Sequence, residues 1–104
     1  MFESNQKTLN KIINFVGTGL HSGKKVSINL KPAEADTGII FKRIDFKINN
    51  EIKANYKNVS STKLCTKIEN EHGVSVSTIE HLMAALYICE VDNLIVEIDG
   101  EETP

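Results

Sequence analysis

The stretch STIEHLMAALYICEVDNLIVEID (residues 77–99) changes its hydrophobic period partway along. Its first half has apolar residues three and four positions apart, which predicts an amphipathic helix over residues 78–89. These residues are Ile79, Leu82, Met83 and Leu86. After the break VDN, Leu94, Val96 and Ile98 fall at every second position, which predicts a strand over residues 93–99 with these three on one face. Several predicted strands before this helix and one strand after it favour an α+β domain.

The rest of the chain predicts more strands and no second helix. The segment KVSINL (residues 25–30) alternates most clearly, and Pro32 ends it because proline cannot donate a ladder hydrogen bond. GIIFKRIDF, EIKANYKNVSS and TKLCTKIEN are further candidates, and EHG predicts a turn. We expect one mostly antiparallel sheet of five or six strands with a helix on one face. A single helix is thin cover for such a sheet, so another element is expected to pack there.

The length and composition are those of one ordinary globular domain. The chain has 104 residues, 40% hydrophobic and 25% charged. No segment approaches the ~20 apolar residues that span a bilayer, and the N-terminal residues do not resemble a secretory signal. Cys65 and Cys89 form no CxxC pair, so we expect reduced thiols in a cytoplasm.

Charge divides the chain into a basic and an acidic part. Residues 1–57 have a balance of +5 and residues 58–104 a balance of −7, which together give −2. Two solvated surfaces explain this split, and so does a basic part that attracts an anionic ligand such as a nucleotide sugar. Nucleic-acid binding is not expected, because the chain has one Arg, no Trp and, in Phe41 and Tyr56, too few candidate stacking aromatics.

Glu80 and His81 lie side by side in the first turn of the predicted helix, and two explanations compete. Ser77 and Glu80 match the capping box S-x-x-E, in which each side chain accepts from the backbone N–H of the other residue. His81 lies off the apolar stripe, where the helix dipole favours a neutral imidazole, the form that binds metals. The pair therefore predicts either a capped helix end or a catalytic site.

Five segments, in order, resemble motifs of the UDP-3-O-acyl-N-acetylglucosamine deacetylases, zinc hydrolases of bacterial lipid A synthesis. The resemblance runs from about residue 7 to residue 99. The segments are GTGLHSGK (17–24), PAEADTGIIFKR (32–43), LCT (64–66), STIEHLMAAL (77–86) and DNLIVE (92–97).

The resemblance implies roles for six residues. His81 corresponds to one of three protein ligands of a zinc ion, and Glu80 to the general base that deprotonates the water on that zinc. Residues of the GTGLHSGK and LCT segments correspond to the wall of the substrate cleft. They are Leu20, His21, Leu64 and Cys65. On sequence alone His21 is equally well explained as the polar tip of a hairpin, and Cys65 as a half-buried structural thiol.

The resemblance also implies parts that this sequence lacks. The other two zinc ligands, a His and an Asp four residues apart, and a further His belong to a second half of the family's fold. We therefore expect residues 1–104 to be the first of two similar sheet-plus-helix domains that pack with their helices inward. The implied substrate is a UDP-linked acylated glucosamine in the bacterial cytoplasm, and the chain alone is expected to be inactive. A non-catalytic α+β binding module derived from this fold is the alternative.

Three other residues receive structural interpretations. His72, in NEHGV, is expected to be a solvated turn residue. Met83 and Cys89 are expected to pack the helix against the sheet.

Overall fold

A computed structural model describes residues 5–19, 21–55, 58–61 and 66–104. Within these ranges the chain forms eight strands and one helix. In chain order they are β1 (Ile13–Thr18), β2 (Lys25–Pro32), β3 (Ile39–Arg43), β4 (Glu51–Lys53), β5 (Val59–Ser61), β6 (Lys67–Glu69), β7 (Ser75–Ser77), α1 (Glu80–Ile88) and β8 (Leu94–Ile98).

The larger sheet has five strands in the order β1-β2-β8-β3-β4. Its neighbours pair antiparallel, except that β3 and β8 pair in parallel. Alternation puts one set of apolar residues from these strands on a single buried face, where Ile28 lies opposite Ile98 and Phe41 opposite Val96. All four side chains are buried. Each buried side chain of this kind contributes about 1.5–3 kcal/mol through removal of apolar surface from water.

A smaller sheet, in the order β5-β6-β7, completes the same core. Ile68 of β6 and Val76 of β7 are buried in the cluster that also contains the apolar face of the larger sheet. Helix α1 adds the buried Leu86, with Leu82 and Met83 half-buried against it. One continuous apolar core therefore joins both sheets to the helix, which confirms the predicted helical stripe and the α+β class.

The number of sheets and the helix start differ from the sequence prediction. The short strands β5, β6 and β7 form a second sheet of their own, which the sequence analysis did not predict. The helix begins at Glu80 rather than at residue 78. Thr78 has a backbone φ of 60°, in the left-handed region that a right-handed helix does not use.

The role predicted for Cys89 is also wrong. Cys89 is the residue at which α1 ends, and its free thiol is exposed. The chain reverses at Glu90, whose φ is 59°, and Val91 makes the apolar contact with the core instead. The predictions for Met83, as a packing residue, and for His72, as an exposed turn residue, are confirmed.

Apolar side chains of β1 and of α1 are open to solvent. Ile13 and Phe15 of β1 lie on the core face of the larger sheet, opposite Leu30 and Ile28, yet Phe15 is 38% exposed. On α1, Tyr87 is 85% exposed and its neighbour Ile88 is also exposed. None of the helical residues that the structure describes forms a segment long and apolar enough to cross a membrane.

Candidate active site

The site is built where the segment after β8 returns to β7. The amide of Ser77 donates to the carbonyl of Glu101 over 2.7 Å, and the amide of Thr103 donates to the carbonyl of Ser77 over 3.0 Å. Residues 77 and 102 thus pair as a parallel bridge. The returning segment fixes the last residue before the turn into α1.

Thr78 forms a strained corner between β7 and α1. It is buried, and a positive φ at a β-branched residue costs on the order of 1–3 kcal/mol. Three neighbours hold it in place. Its amide donates to the carbonyl oxygen of Thr66 over 2.8 Å, and its hydroxyl donates to the Glu102 carboxylate over 3.1 Å. Its carbonyl oxygen accepts from the Thr103 hydroxyl. These contacts set the direction in which the helix leaves the sheet.

The predicted capping box is absent. Ile79, not Ser77, is the N-cap residue, and no side chain caps the helix. Because Ser77 belongs to β7, its hydroxyl donates to the carbonyl of Glu101 over 3.1 Å rather than facing the helix. The S-x-x-E residues therefore do not form a capping box here. The amide of Ser77 donates to Glu101 and not to the Glu80 carboxylate.

Glu80 is half-buried in the first turn of α1. Its Oε1 accepts a hydrogen bond from the amide of Thr66 over 3.2 Å, the one hydrogen bond that the described residues give to this carboxylate. Thr66 is the last residue of the LCT segment, so the contact joins two of the segments singled out in the sequence. One oxygen is anchored, and Oε2 keeps its capacity to accept a proton. The N-terminal end of the helix dipole stabilises the charge.

His81 follows Glu80 and is exposed on the surface of the domain. Successive helical residues point about 100° apart, so the imidazole and the carboxylate project from neighbouring sides of the helix end. His81 thus faces solvent in this chain, and the geometry alone does not enclose it in a cleft.

A carboxylate that the sequence prediction missed lies at the centre of this region. Glu102 is 3% exposed. Its Oε2 accepts from the amide of His21 over 2.9 Å and from the hydroxyl of Thr78 over 3.1 Å, and its Oε1 accepts from the amide of Ser22 over 2.8 Å. Burial alone would raise the pKa of Glu102, but these bonds and one from the Ser22 side chain outweigh it and lower the pKa to about 2.

The two glycines of GTG could have pointed to Glu102. A Cβ on Gly19 would lie 2.4 Å from Glu102 Oε1, and a Cβ on Gly17 would lie 2.3 Å from Pro104 Cβ. A glycine in or beside a strand often marks the close approach of another part of the chain. Here the approaching part is the segment after β8.

The predicted substrate-wall residues are placed only in part. Leu20, Leu64 and Cys65 lie outside the described residues. His21 is exposed in the turn between β1 and β2, as the hairpin interpretation predicts, and its amide joins it to Glu102. Hydrogen bonds therefore connect the GTGLHSGK loop, Glu102 and Thr78 in one continuous network. This network continues from Thr78 through Thr66 to Glu80.

The described residues do not by themselves provide a zinc site. A catalytic zinc takes about three protein ligands and keeps one open position. Across residues 5–19, 21–55, 58–61 and 66–104, no group of three His, Cys, Asp or Glu side chains is arranged to hold a metal ion. His81 can supply one ligand and no more.

Comparison with known proteins agrees with the motifs. A family model described as UDP-3-O-acyl N-acetylglycosamine deacetylase matches residues 6–104. The chain is also 48% identical over 99 residues to a UDP-3-O-acyl-N-acetylglucosamine deacetylase of Sodalis glossinidius (strain morsitans), covering 95% of this chain and 32% of that relative. The chain thus spans about a third of the length of this relative. Because the family model matches nearly every residue, the chain belongs to the UDP-3-O-acyl N-acetylglycosamine deacetylase family.

Proposed function

We propose that the complete protein carrying this chain removes the N-acetyl group from a UDP-linked, 3-O-acylated N-acetylglucosamine. The name of the relative from Sodalis glossinidius supports this reaction. The observation that carries the proposal is Glu80, a half-buried carboxylate in a helical first turn, held by the Thr66 amide through one oxygen and followed by an exposed imidazole. The expected setting is lipid A synthesis in the bacterial cytoplasm.

In this proposal Glu80 moves the protons of the hydrolysis. Its anchored Oε1 fixes the direction of the side chain, and Oε2 takes a proton from the water that attacks the acetamide carbonyl. The same carboxyl group then carries that proton to the departing amine. Because the amide of Thr66 donates to Oε1, that contact leaves Oε2 available to receive the proton from water.

His81 is proposed as one ligand of a zinc ion, with the other ligands contributed from outside the described residues. Zinc, when bound, supplies Lewis-acid polarisation of a carbonyl and lowers the pKa of water. The exposure of His81 is compatible with a ligand that is covered only when a second, similar domain packs over α1. On this proposal the 104-residue chain alone binds zinc weakly and does not turn over substrate.

Two matched pairs of variants test these assignments in the complete protein. Glu80→Gln is expected to lower kcat at least 100-fold with zinc content unchanged, because it removes the proton acceptor and keeps the shape. Glu71→Gln, an exposed glutamate in the turn before β7, is the control. His81→Ala is expected to lower both the bound zinc and the activity, whereas His72→Ala lowers neither.

The assay is release of the free amine from a synthetic UDP-3-O-acyl-N-acetylglucosamine. Absence of release by the unsubstituted complete protein, with zinc supplied, would contradict the proposed reaction and favour a non-catalytic module. Robust release by the 104-residue chain alone would contradict the proposal that it is inactive. Full activity of Glu80→Gln would remove Glu80 from the mechanism.

A further inference from the structure

Glu102 connects two segments that are far apart in sequence. His21 and Ser22 belong to the turn between β1 and β2, and Thr78 begins the turn into α1. The Glu102 carboxylate accepts hydrogen bonds from all three residues, over 2.9, 2.8 and 3.1 Å. One oxygen, Oε2, is shared between the amide of His21 and the hydroxyl of Thr78.

The partners of this carboxylate are all donors. Two are backbone amides, and the hydroxyls of Ser22 and Thr78 are the others. A buried carboxylate is stabilised by several such donors, and a neutral amide in its place would turn an NH2 group towards N–H groups. The contact therefore requires an acceptor at both oxygens, which an ionised Glu or Asp provides and Gln does not.

Both segments have a backbone conformation or a close approach that this contact helps to hold. The turn after β1 contains Gly19, whose missing side chain leaves room for Glu102 Oε1, and Gly23 at a φ of 70°. Thr78 has the strained φ of 60°. The hydroxyl of Thr103, the residue after Glu102, donates to the carbonyl of Thr78. The segment after β8 therefore holds the Thr78 corner through both its hydroxyl and its carbonyl.

We infer that Glu102 is a positioning residue that couples the His21 turn to the helix end carrying Glu80 and His81. This inference rests on the proposed function, since the coupled groups are those assigned to the deacetylation site. The hydrogen bonds of Glu102 go to His21, Ser22 and Thr78, and not to Glu80 or His81. It sets the direction of α1 through Thr78, and the position of His21 through its amide. Loss of the coupling displaces two parts of one site relative to each other.

The test compares Glu102→Gln with Glu101→Gln in the complete protein. Glu101 is the adjacent, exposed glutamate, so its variant makes the same change of charge without touching the buried contact. Glu102→Gln is expected to lower kcat/KM about 10- to 100-fold, the scale of an ångström-sized misplacement of catalytic groups. Glu102→Asp, which keeps an ionised carboxylate, is expected to recover part of the loss.

Amide resonances separate coupling from a general loss of stability. In two-dimensional NMR spectra of the complete protein, Glu102→Gln is expected to shift the amides of His21 and Ser22 and also those at the start of α1, Glu80 and His81. Glu101→Gln is expected to shift neither group. The coupling is refuted if the amide resonances of only one of these two groups shift. It is also refuted if kcat/KM stays within twofold of the Glu101→Gln value.

A milder variant covers the case in which Glu102→Gln fails to fold. Thr78→Val keeps the β-branched shape and removes the hydroxyl that shares Glu102 Oε2. It is expected to shift the amide of His21, on the far side of the carboxylate, and an unchanged His21 amide would overturn the inference. Failure of the unsubstituted protein to deacetylate would instead refute the proposed function, while the amide shifts still report on the coupling.

Discussion

Arg43 of the larger sheet donates a hydrogen bond from Nη1 to the carbonyl oxygen of Ser75 in the smaller sheet, over 2.8 Å. The same guanidinium binds Asp45 through Nε at 2.9 Å and Nη2 at 2.6 Å, and lies 4.7 Å from the centre of the Phe46 ring. These contacts use the planar fork of arginine, which lysine does not have. Arg43, 8% exposed, therefore joins the two sheets at one end of the core.

Arg43→Lys is expected to lower the free energy of unfolding by about 2–3 kcal/mol, because it leaves Asp45 and the Ser75 carbonyl with incomplete partners. Lys47→Arg exchanges the same two residue types at an exposed position and is expected to stay within about 0.5 kcal/mol. Urea denaturation followed by circular dichroism measures both. Equal effects of the two variants would show that Arg43 does not join the sheets.

The buried Glu102 predicts acid sensitivity. Its pKa is lowered from an ordinary 4.5 to about 2, so the unfolded chain binds this proton at a higher pH than the folded chain does. The stabilisation is fully present above pH 4.5 and is lost as the pH falls towards 2, for a total of about 3 kcal/mol. Asp45, whose pKa is lowered by the hydrogen bond from Arg43, contributes in the same direction.

The measurement is the difference in unfolding free energy between the unsubstituted chain and Glu102→Gln at several pH values. The difference is expected to shrink between pH 5 and pH 2. Glu101→Gln serves as the control and should follow the unsubstituted chain throughout. A difference that does not change with pH would mean that the Glu102 carboxylate is not specifically stabilised in the fold.

Gly19 and Gly23 lie in the same turn, but each position needs glycine for a different physical reason. Gly19→Ala puts a Cβ 2.4 Å from Glu102 Oε1 and 2.7 Å from Ser22 Oγ, whereas Gly23→Ala meets open space at a φ of 70°. We expect about 1 kcal/mol of destabilisation for Gly23→Ala, from the left-handed backbone alone. Gly19→Ala is expected to cost more, and only Gly19→Ala should shift the amides of His21 and Ser22.

The strands were predictable where the local pattern agrees with the tertiary structure. Val26 and Ile28 of β2, and Val96 and Ile98 of β8, alternate with polar residues, and all four are buried as the period of two requires. The parallel pairing of β3 with β8 was not predictable, because the order of strands in a sheet depends on contacts between distant segments.

The errors at the start of the helix have a common physical cause. The residues S-x-x-E satisfy a local capping pattern, but Thr78 is held in a left-handed conformation by Thr66, Glu102 and Thr103. None of these partners is a sequence neighbour of Thr78. Glu102 was overlooked for the same reason, since His21 lies 81 residues away from it in the chain. The place of Glu80 and His81 in the first turn followed from the hydrophobic pattern, whereas the catalytic and metal-binding roles assigned to them rest on motif resemblance and stay predictions.

Leu86 and Tyr87 are adjacent on α1, but only Leu86 is buried in the core of this chain. Substitutions at these two positions test which side of the helix is buried. In the 104-residue chain, Leu86→Ala is expected to cost about 2–4 kcal/mol because Leu86 is buried in the core, while Tyr87→Ala stays within about 0.5 kcal/mol.

In the complete protein, the proposed packing of a second, similar domain against α1 predicts a different result for Tyr87. There Tyr87→Ala is expected to cost at least 1 kcal/mol, because an aromatic side chain that is open in this chain becomes buried between domains. Thermal unfolding of both lengths of protein, with and without each substitution, gives the comparison. If Tyr87→Ala remains neutral in the complete protein while Leu86→Ala destabilises both lengths, the second domain does not pack over this side chain of the helix.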